Sequence, residues 1–267
     1  MTLKEALYEA PGPKTRRNIR IATVFSVIFI AVLIVLMIRQ FYVSGQFAPR
    51  YWSFFGRMTT WKFFFEGLLG TVKAALMAAV ITFCLGFLMM AGRISHSRIL
   101  NAVATALVEF TRGVPTLLFI YFFFLVVPQT GIKLSAFWKV ALPVAISASG
   151  MVAEVLRGGV NSVPKGHKEA ALSLGMGHVR TFIKIIFPQA FRYVIPALIS
   201  EIVIVLKDTT FAYVVSYNDL MQNASVLISN YDALLSVYLV VAVIYILINY
   251  LLNRLSVKLA SKQQRRK

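Results

Sequence analysis

The side chains of this 267-residue chain that could do acid–base, nucleophilic or metal chemistry are few and scattered. Its single cysteine, Cys84, sits in an apolar run, which excludes an intrachain disulfide and a thiolate metal site. The three histidines, His96, His167 and His178, lie far apart and lack the i, i+4 spacing that would place two of them on one helix face for a metal. The 10 acidic residues form no paired constellation of the kind an integral membrane enzyme needs. There is no G-x-x-x-x-G-K-[ST] phosphate loop, so no ATP, other cofactor or metal is expected on this chain and no residue is assigned a catalytic role.

Two sets of residues do carry a pattern. The first is Glu169-Ala170-Ala171, then three residues to Gly175, nine to Ile185, and one to Phe187-Pro188. Alanines let a short helix approach a groove closely, glycine permits a sharp turn, and the glutamate offers a charged contact, which by themselves fit either a hairpin that merely joins two spans or one that meets a partner. The second set is charge inside apolar runs: Lys73, Arg112, Glu201, Lys207 and Asp208, with Thr209 beside them. A charge near the bilayer centre costs ~2.5–3.5 kcal/mol on insertion scales and must face a cavity or a partner. Arg20, Lys139 and Arg192 lie near the ends of runs, where they can snorkel. Glu201 and Asp208 are seven apart and share a helix face. That face either borders a substrate path, with Lys207 and Lys73 or Arg112 favouring a carboxylate, or holds a Lys–Asp network that neutralises itself. Glu109 with Arg112, and Glu154 with Arg157, are i, i+3 pairs and read as structural.

The elements that must position these residues are membrane helices. The chain is 58% hydrophobic and only 14% charged, where soluble domains hold roughly a quarter charged residues, and a spanning helix needs ~20 apolar residues. Six spans are predicted, at about 19–38, 63–91, 99–127, 138–156, 191–215 and 234–252. The first is longer than the ~7–15-residue apolar region of a signal peptide, which predicts an uncleaved helix. Residues 39–62 mix aromatic and basic side chains and suit an external interfacial segment. The second span is lined with small residues, Gly67, Gly70, Ala74, Ala75, Ala78 and Ala79, which lets helices approach closely. Within 99–127, Asn101, Thr105, Glu109 and Arg112 draw one polar stripe that should face protein or a cavity. Gly113 and Pro115 then break or restart the helix, so 99–127 is either one long kinked helix or an interfacial helix followed by a span. Residues 216–232 read as a loop.

Charge placement orients the chain. Of 28 Lys and Arg residues, 17 fall on the side that carries both termini (tails 1–18 and 253–267) and residues 157–188, 5 fall on the other, and 6 lie within or at the ends of spans. The positive-inside rule puts both termini and residues 157–188 in the cytoplasm. The formal charge of +18 is therefore mostly topology, and nucleic acid is not a partner. Residues 157–188 themselves predict two short helices. The first opens near Pro164, Gly175 and Gly177 can stop it, and the second runs from His178 to Phe187 and ends at Pro188.

The Glu169 to Pro188 pattern resembles the EAA loop of the membrane subunits of bacterial ATP-binding-cassette (ABC) importers, with Phe187 where leucine is usual. Arg112-Gly113-Val114-Pro115, Ala153-Glu154, Arg157-Gly158-Gly159, Pro164-Lys165-Gly166, Pro188-Gln189-Ala190 and Lys207-Asp208-Thr209-Thr210 are similar to the polar amino acid permeases, and His167 stands where glutamine is common. The overall pattern looks nearest to permeases of the glutamate or glutamine type. The resemblance runs from about Gly67 to the sixth span, leaving the first span as an addition to a five-helix core. It implies an all-α, polytopic permease core of the type I ABC importer class in the bacterial plasma membrane. It also implies a cytoplasmic ABC ATPase dimer docking at Glu169, Ala170, Ala171, Gly175, Ile185 and Pro188. The other implied partners are a second permease, homologous or identical, and an extracytoplasmic amino acid binding protein. From the residues alone two other classes stay open: an ion-coupled secondary transporter, for which no internal repeat is found, and an integral membrane enzyme.

Overall fold

The computed structural model describes residues 12–264, except the side chains at 255, 256 and 259–264, and shows helices with no strand among the described residues. The two basic tails, expected at 1–18 and 253–267, lie partly outside these residues. The chain divides into two units, Met1–Phe54 and Phe55–Lys267.

In the first unit, α1 spans Pro13–Val43. Pro13 starts it where a missing N–H leaves nothing unpaired. At 1.5 Å per residue its 31 residues reach about 46 Å, well beyond a ~30 Å hydrocarbon core, so the helix outruns the predicted 19–38 at both ends. None of its residues is buried, and apolar side chains cover it all round. Two short helical turns follow, Pro49–Tyr51 and Ser53–Gly56, with the Trp52 indole N–H bonded to the Gln46 carbonyl at 3.1 Å.

The second unit is a bundle. It comprises α2 (Met58–Arg93), α3 (Arg98–Gly113), α4 (Thr116–Thr130), α5 (Ala136–Asn161), α6 (Lys165–Ser173), α7 (His178–Val215), α8 (Leu220–Tyr231) and α9 (Leu234–Gln264). With α1, five helices are long and apolar enough to cross a membrane, and the bent pair α3 and α4 makes a sixth, in keeping with the six predicted spans. The bend is 97°. It sits where Pro115 forces Val114 out of the helical region, to φ −95° and ψ 125°.

The most buried span is α5, and α2 packs along it most extensively. Their shared core holds Ala74, Ala78, Val140, Val144 and Ala145, small side chains that let the backbones close up. Gly86 shows how close the approach is: a Cβ there would lie 2.8 Å from Val152 Cγ1 and 3.0 Å from the Ser149 carbonyl oxygen. Thr82 Oγ1 also crosses to the Ala145 carbonyl at 3.3 Å.

Two expectations change and one holds in part. The polar stripe of α3 flanks its buried face of Ala104, Val108 and Thr111: Asn101 and Thr105 are half-buried, with Asn101 Nδ2 donating to the Arg93 carbonyl, while Glu109 and Arg112 are exposed. Pro188 does not end a helix, because α7 runs unbroken from His178 through it. A π-helical turn at Phe182–Ile186 precedes it, so the hydrogen-bond pattern is already widened where proline has no N–H to give. Residues 216–232 are not a loop, since most of them form α8. Its N-cap is Asp219, whose Oδ1 accepts from the Gln222 N–H at 2.8 Å.

Candidate functional site: the α6 hairpin and the intramembrane polar cluster

At one end of the bundle α6 and the start of α7 form a hairpin. Pro164 enters it in an extended conformation, and a two-bond cap closes α6: Gly175 N–H to the Leu172 carbonyl at 2.9 Å, Met176 N–H to Ala171 at 3.1 Å. This geometry needs a left-handed residue, and Gly175 sits at φ +77°. Within α6 only Ala171 is buried. Glu169 and Ala170 face outward, Leu174 at the turn is 84% exposed, and Val179 beyond it is 73% exposed. Ile185 is half-buried and Pro188 exposed. The residues of the pattern thus lie on one hairpin, whose exposed surface carries Leu174, Val179 and Glu169 together with the basic Lys165, Lys168, Arg180 and Lys184.

An ionic hub joins the ends of α2, α3 and α5. Arg157 holds Glu154 through Nη2 at 2.7 Å and Nε at 3.2 Å, and Arg93 binds the other oxygen of Glu154. Arg93 also stands 4.0 Å from Glu109, which Arg112 approaches at 3.6 Å. Both i, i+3 pairs are formed, and Arg93 ties them together. Arg93 was not singled out from sequence.

Deeper in the bundle a second cluster forms where α4 begins. Thr116 Oγ1 donates to Asp208 Oδ2 at 2.8 Å and lies 2.9 Å from Ser147 Oγ, linking α4, α5 and α7. Glu201, two turns earlier on α7, borders a cavity of about 60 Å³ with Thr82, Phe83 and Val152. The other candidates are placed differently. Lys73 and Lys207 are exposed, and no ion pair joins Lys207 to Asp208 among the described residues, so the neutralising network is not formed. Thr209 is buried with its hydroxyl on the Leu206 carbonyl at 2.8 Å, and Arg112 belongs to the hub. Thr116 and Ser147 were not singled out from sequence. The proline before Thr116, which starts a helix, was the available signal.

At the end opposite the hairpin, α8 lies directly on α2. A Cβ on Gly67 would be 2.8 Å from Asn223 Nδ2, and one on Gly70 would overlap the Asn218 carbonyl. Asn223 Nδ2 donates to the Phe63 carbonyl at 2.6 Å, the Tyr217 hydroxyl to Gly70 at 3.1 Å, and the Leu220 N–H to Thr71 Oγ1 at 3.0 Å. Asp219 is fully buried here with Oδ2 unpartnered, and burial pushes its carboxyl up to about 6 against its capping bonds.

The family described as the inner membrane component of binding-protein-dependent transport systems matches residues 83–265. A glutamate transport system permease protein of Corynebacterium glutamicum, GluD, is 34% identical over 217 residues, 80% of each chain. A probable glutamine ABC transporter permease protein of Bacillus subtilis, GlnP, is 31% identical over 204 residues, 75% of this chain and 94% of its own. Among solved structures, an amino acid ABC transporter with histidines superposes with a TM-score of 0.72 at 28% identity, over 78% of this chain and 98% of its own. A hairpin exposed at one end of a five-span core, the family match over most of that core, and relatives of this length together identify the chain as a member of the family of inner membrane components of binding-protein-dependent transport systems, an amino acid ABC importer permease.

Proposed function

We propose that this chain carries polar amino acids of the glutamate or glutamine type across the bacterial plasma membrane, with both termini and the α6 hairpin in the cytoplasm. The observation that carries the reading is the hairpin. A short helix with a glycine-fixed turn presents Leu174, Glu169 and Ala170 outward at the end where Lys and Arg concentrate. A dimer of ABC ATPases docks there and hydrolyses the ATP, so this subunit holds no ATP or other cofactor and is not itself an enzyme. A second permease, homologous or a further copy of this chain, completes the path, and an extracytoplasmic binding protein delivers the amino acid.

The push from the ATPase enters at α6 and passes through the continuous α7 to Asp208 and Glu201, and through the Glu154 hub to α3 and α5. Such a displacement rocks the spans between inward and outward access. Lys73 and Lys207, with charge not taken up by an ion pair among the described residues, favour a carboxylate in the path. GluD and GlnP support an acidic or amide substrate.

The test is uptake into proteoliposomes that hold the permease, its ATPase and its binding protein. Labelled glutamate or glutamine should enter only when ATP is supplied on the ATPase side. Uptake by this chain alone without ATP contradicts the coupling, and preference for a cationic amino acid over both contradicts the substrate class.

A further inference from the structure

Beside the hairpin lies a cavity of about 600 Å³, which shares Val179 with the hairpin's exposed surface. It opens between the end of α2, the turn into α3, the end of α5 and the first residues of α6 and α7. Its lining combines two chemistries. Phe87, Ile183 and Ile186, on helices long and apolar enough to span a membrane, and Ile94 just past the end of α2 give it apolar surface. Lys165 and Lys168 add two cations and His96 and His178 two imidazoles, and no aspartate or glutamate lines the cavity among the described residues. The two imidazoles, from segments more than 80 residues apart, meet edge-on with ring centroids 6.1 Å apart. Thr181, also lining the cavity, is only 2% exposed, yet its hydroxyl has no hydrogen-bond partner. A helical threonine ordinarily satisfies itself on a carbonyl one turn back, so an unspent buried hydroxyl marks a place for an acceptor from elsewhere.

We propose that this cavity binds an anionic phospholipid of the leaflet on the hairpin side, its phosphate held by Lys165, Lys168, His96 and His178 and accepting from Thr181, its acyl chains along the apolar surface of Phe87, Ile183 and Ile186. Apolar surface on spanning helices suits tails, and two lysines at the membrane surface suit a phosphodiester with net negative charge. A free phosphate would use the lysines and leave the apolar surface uncovered. A bound lipid would wedge the base of α6 against α2 and α5 and so set the angle at which the hairpin meets its partner. That consequence rests on the function proposed above, whereas the binding itself does not.

The experiment is native mass spectrometry of the full chain, alone and in complex with its ATPase, released from nanodiscs of phosphatidylglycerol mixed with phosphatidylcholine. One phosphatidylglycerol per chain should be retained in both samples. The double variant Lys165→Gln with Lys168→Gln should lower its occupancy at least tenfold, and Lys165→Arg with Lys168→Arg, which keeps charge and tests for misfolding, should restore it. Inorganic phosphate at millimolar concentration should not displace it. Equal retention of phosphatidylcholine, unchanged retention in the glutamine variant, displacement by phosphate, or loss of the lipid on ATPase binding would each overturn the proposal. A loss of transport with lipid binding intact would count against the coupling reading alone.

Discussion

Two short helices join successive spans at opposite ends of this bundle, and they are held in opposite ways. The α8 helix is bolted down: its backbone lies on Gly67 and Gly70, and Asn223, Tyr217 and the Leu220 N–H bond to α2. The α6 helix buries one residue, Ala171, and a Cβ on Gly175 would meet nothing within 4 Å. The contrast separates a brace from a docking surface. At α8 glycine is required by a neighbour, whereas at α6 it is required by the backbone angle.

The largest effect that separates them is expected at Gly70. In Gly70→Val the side chain would collide with the Asn218 carbonyl, a backbone group with nowhere to move, and the cost should reach about 3 kcal/mol or more. Thermal unfolding in detergent should show a large drop in midpoint and a poor yield of monodisperse protein. An unchanged midpoint would mean that α8 is not bolted to α2.

Next comes Gly175→Val. Its expected cost is backbone strain, about 1–2 kcal/mol at one exposed turn, so the protein should fold and insert with a small shift in midpoint. Transport per ATP hydrolysed should fall severalfold, because the hairpin tilts. Normal transport would remove the hairpin from the coupling route.

Within the membrane, Asp208→Asn keeps the shape of the Thr116 contact and removes the charge. The initial rate of uptake should drop about tenfold with little change in midpoint. A large stability loss with normal uptake per folded molecule would make the cluster a brace like α8.

The smallest effect is a pH dependence at the brace. Asp219 holds its proton up to about pH 6 in the fold, against about 4 in the unfolded chain. The native state therefore binds more protons in that window, so its stability should fall as pH rises from about 4 to 6 and level off above. Asp219→Asn should flatten that part of the curve in a midpoint-versus-pH series. An equal slope in the variant would exclude Asp219 as its source.

How legible each feature was in the sequence follows from how local its cause is. The hairpin was readable because Pro164, Ala171 and Gly175 act within a few residues of themselves. The break at Gly113-Val114-Pro115 was readable for the same reason. The α8 helix was not, since Asp219 as an N-cap is a weak signal in a short polar segment, and its stability comes from α2, some 150 residues earlier. Gly67 and Gly70 were recognised as a close-approach surface, but the partner is the α8 segment and its leading turn instead of another span. Pro188 misled because proline usually ends a helix, and only the π-helical turn before it lets α7 continue. Lys207 beside Asp208 suggested a pair, yet Asp208 turns to Thr116 on another helix.

The central claim, that α6 and not α8 meets the ATPase, is tested most directly by site-specific cross-linking in the assembled transporter. With Cys84 replaced by serine, single cysteines are introduced at Leu174 in the hairpin and at Val226 on α8, both exposed. Leu174→Cys should cross-link to the ATPase and Val226→Cys should not. Cross-linking at Val226, or none at Leu174 in a complex that still transports, would contradict it.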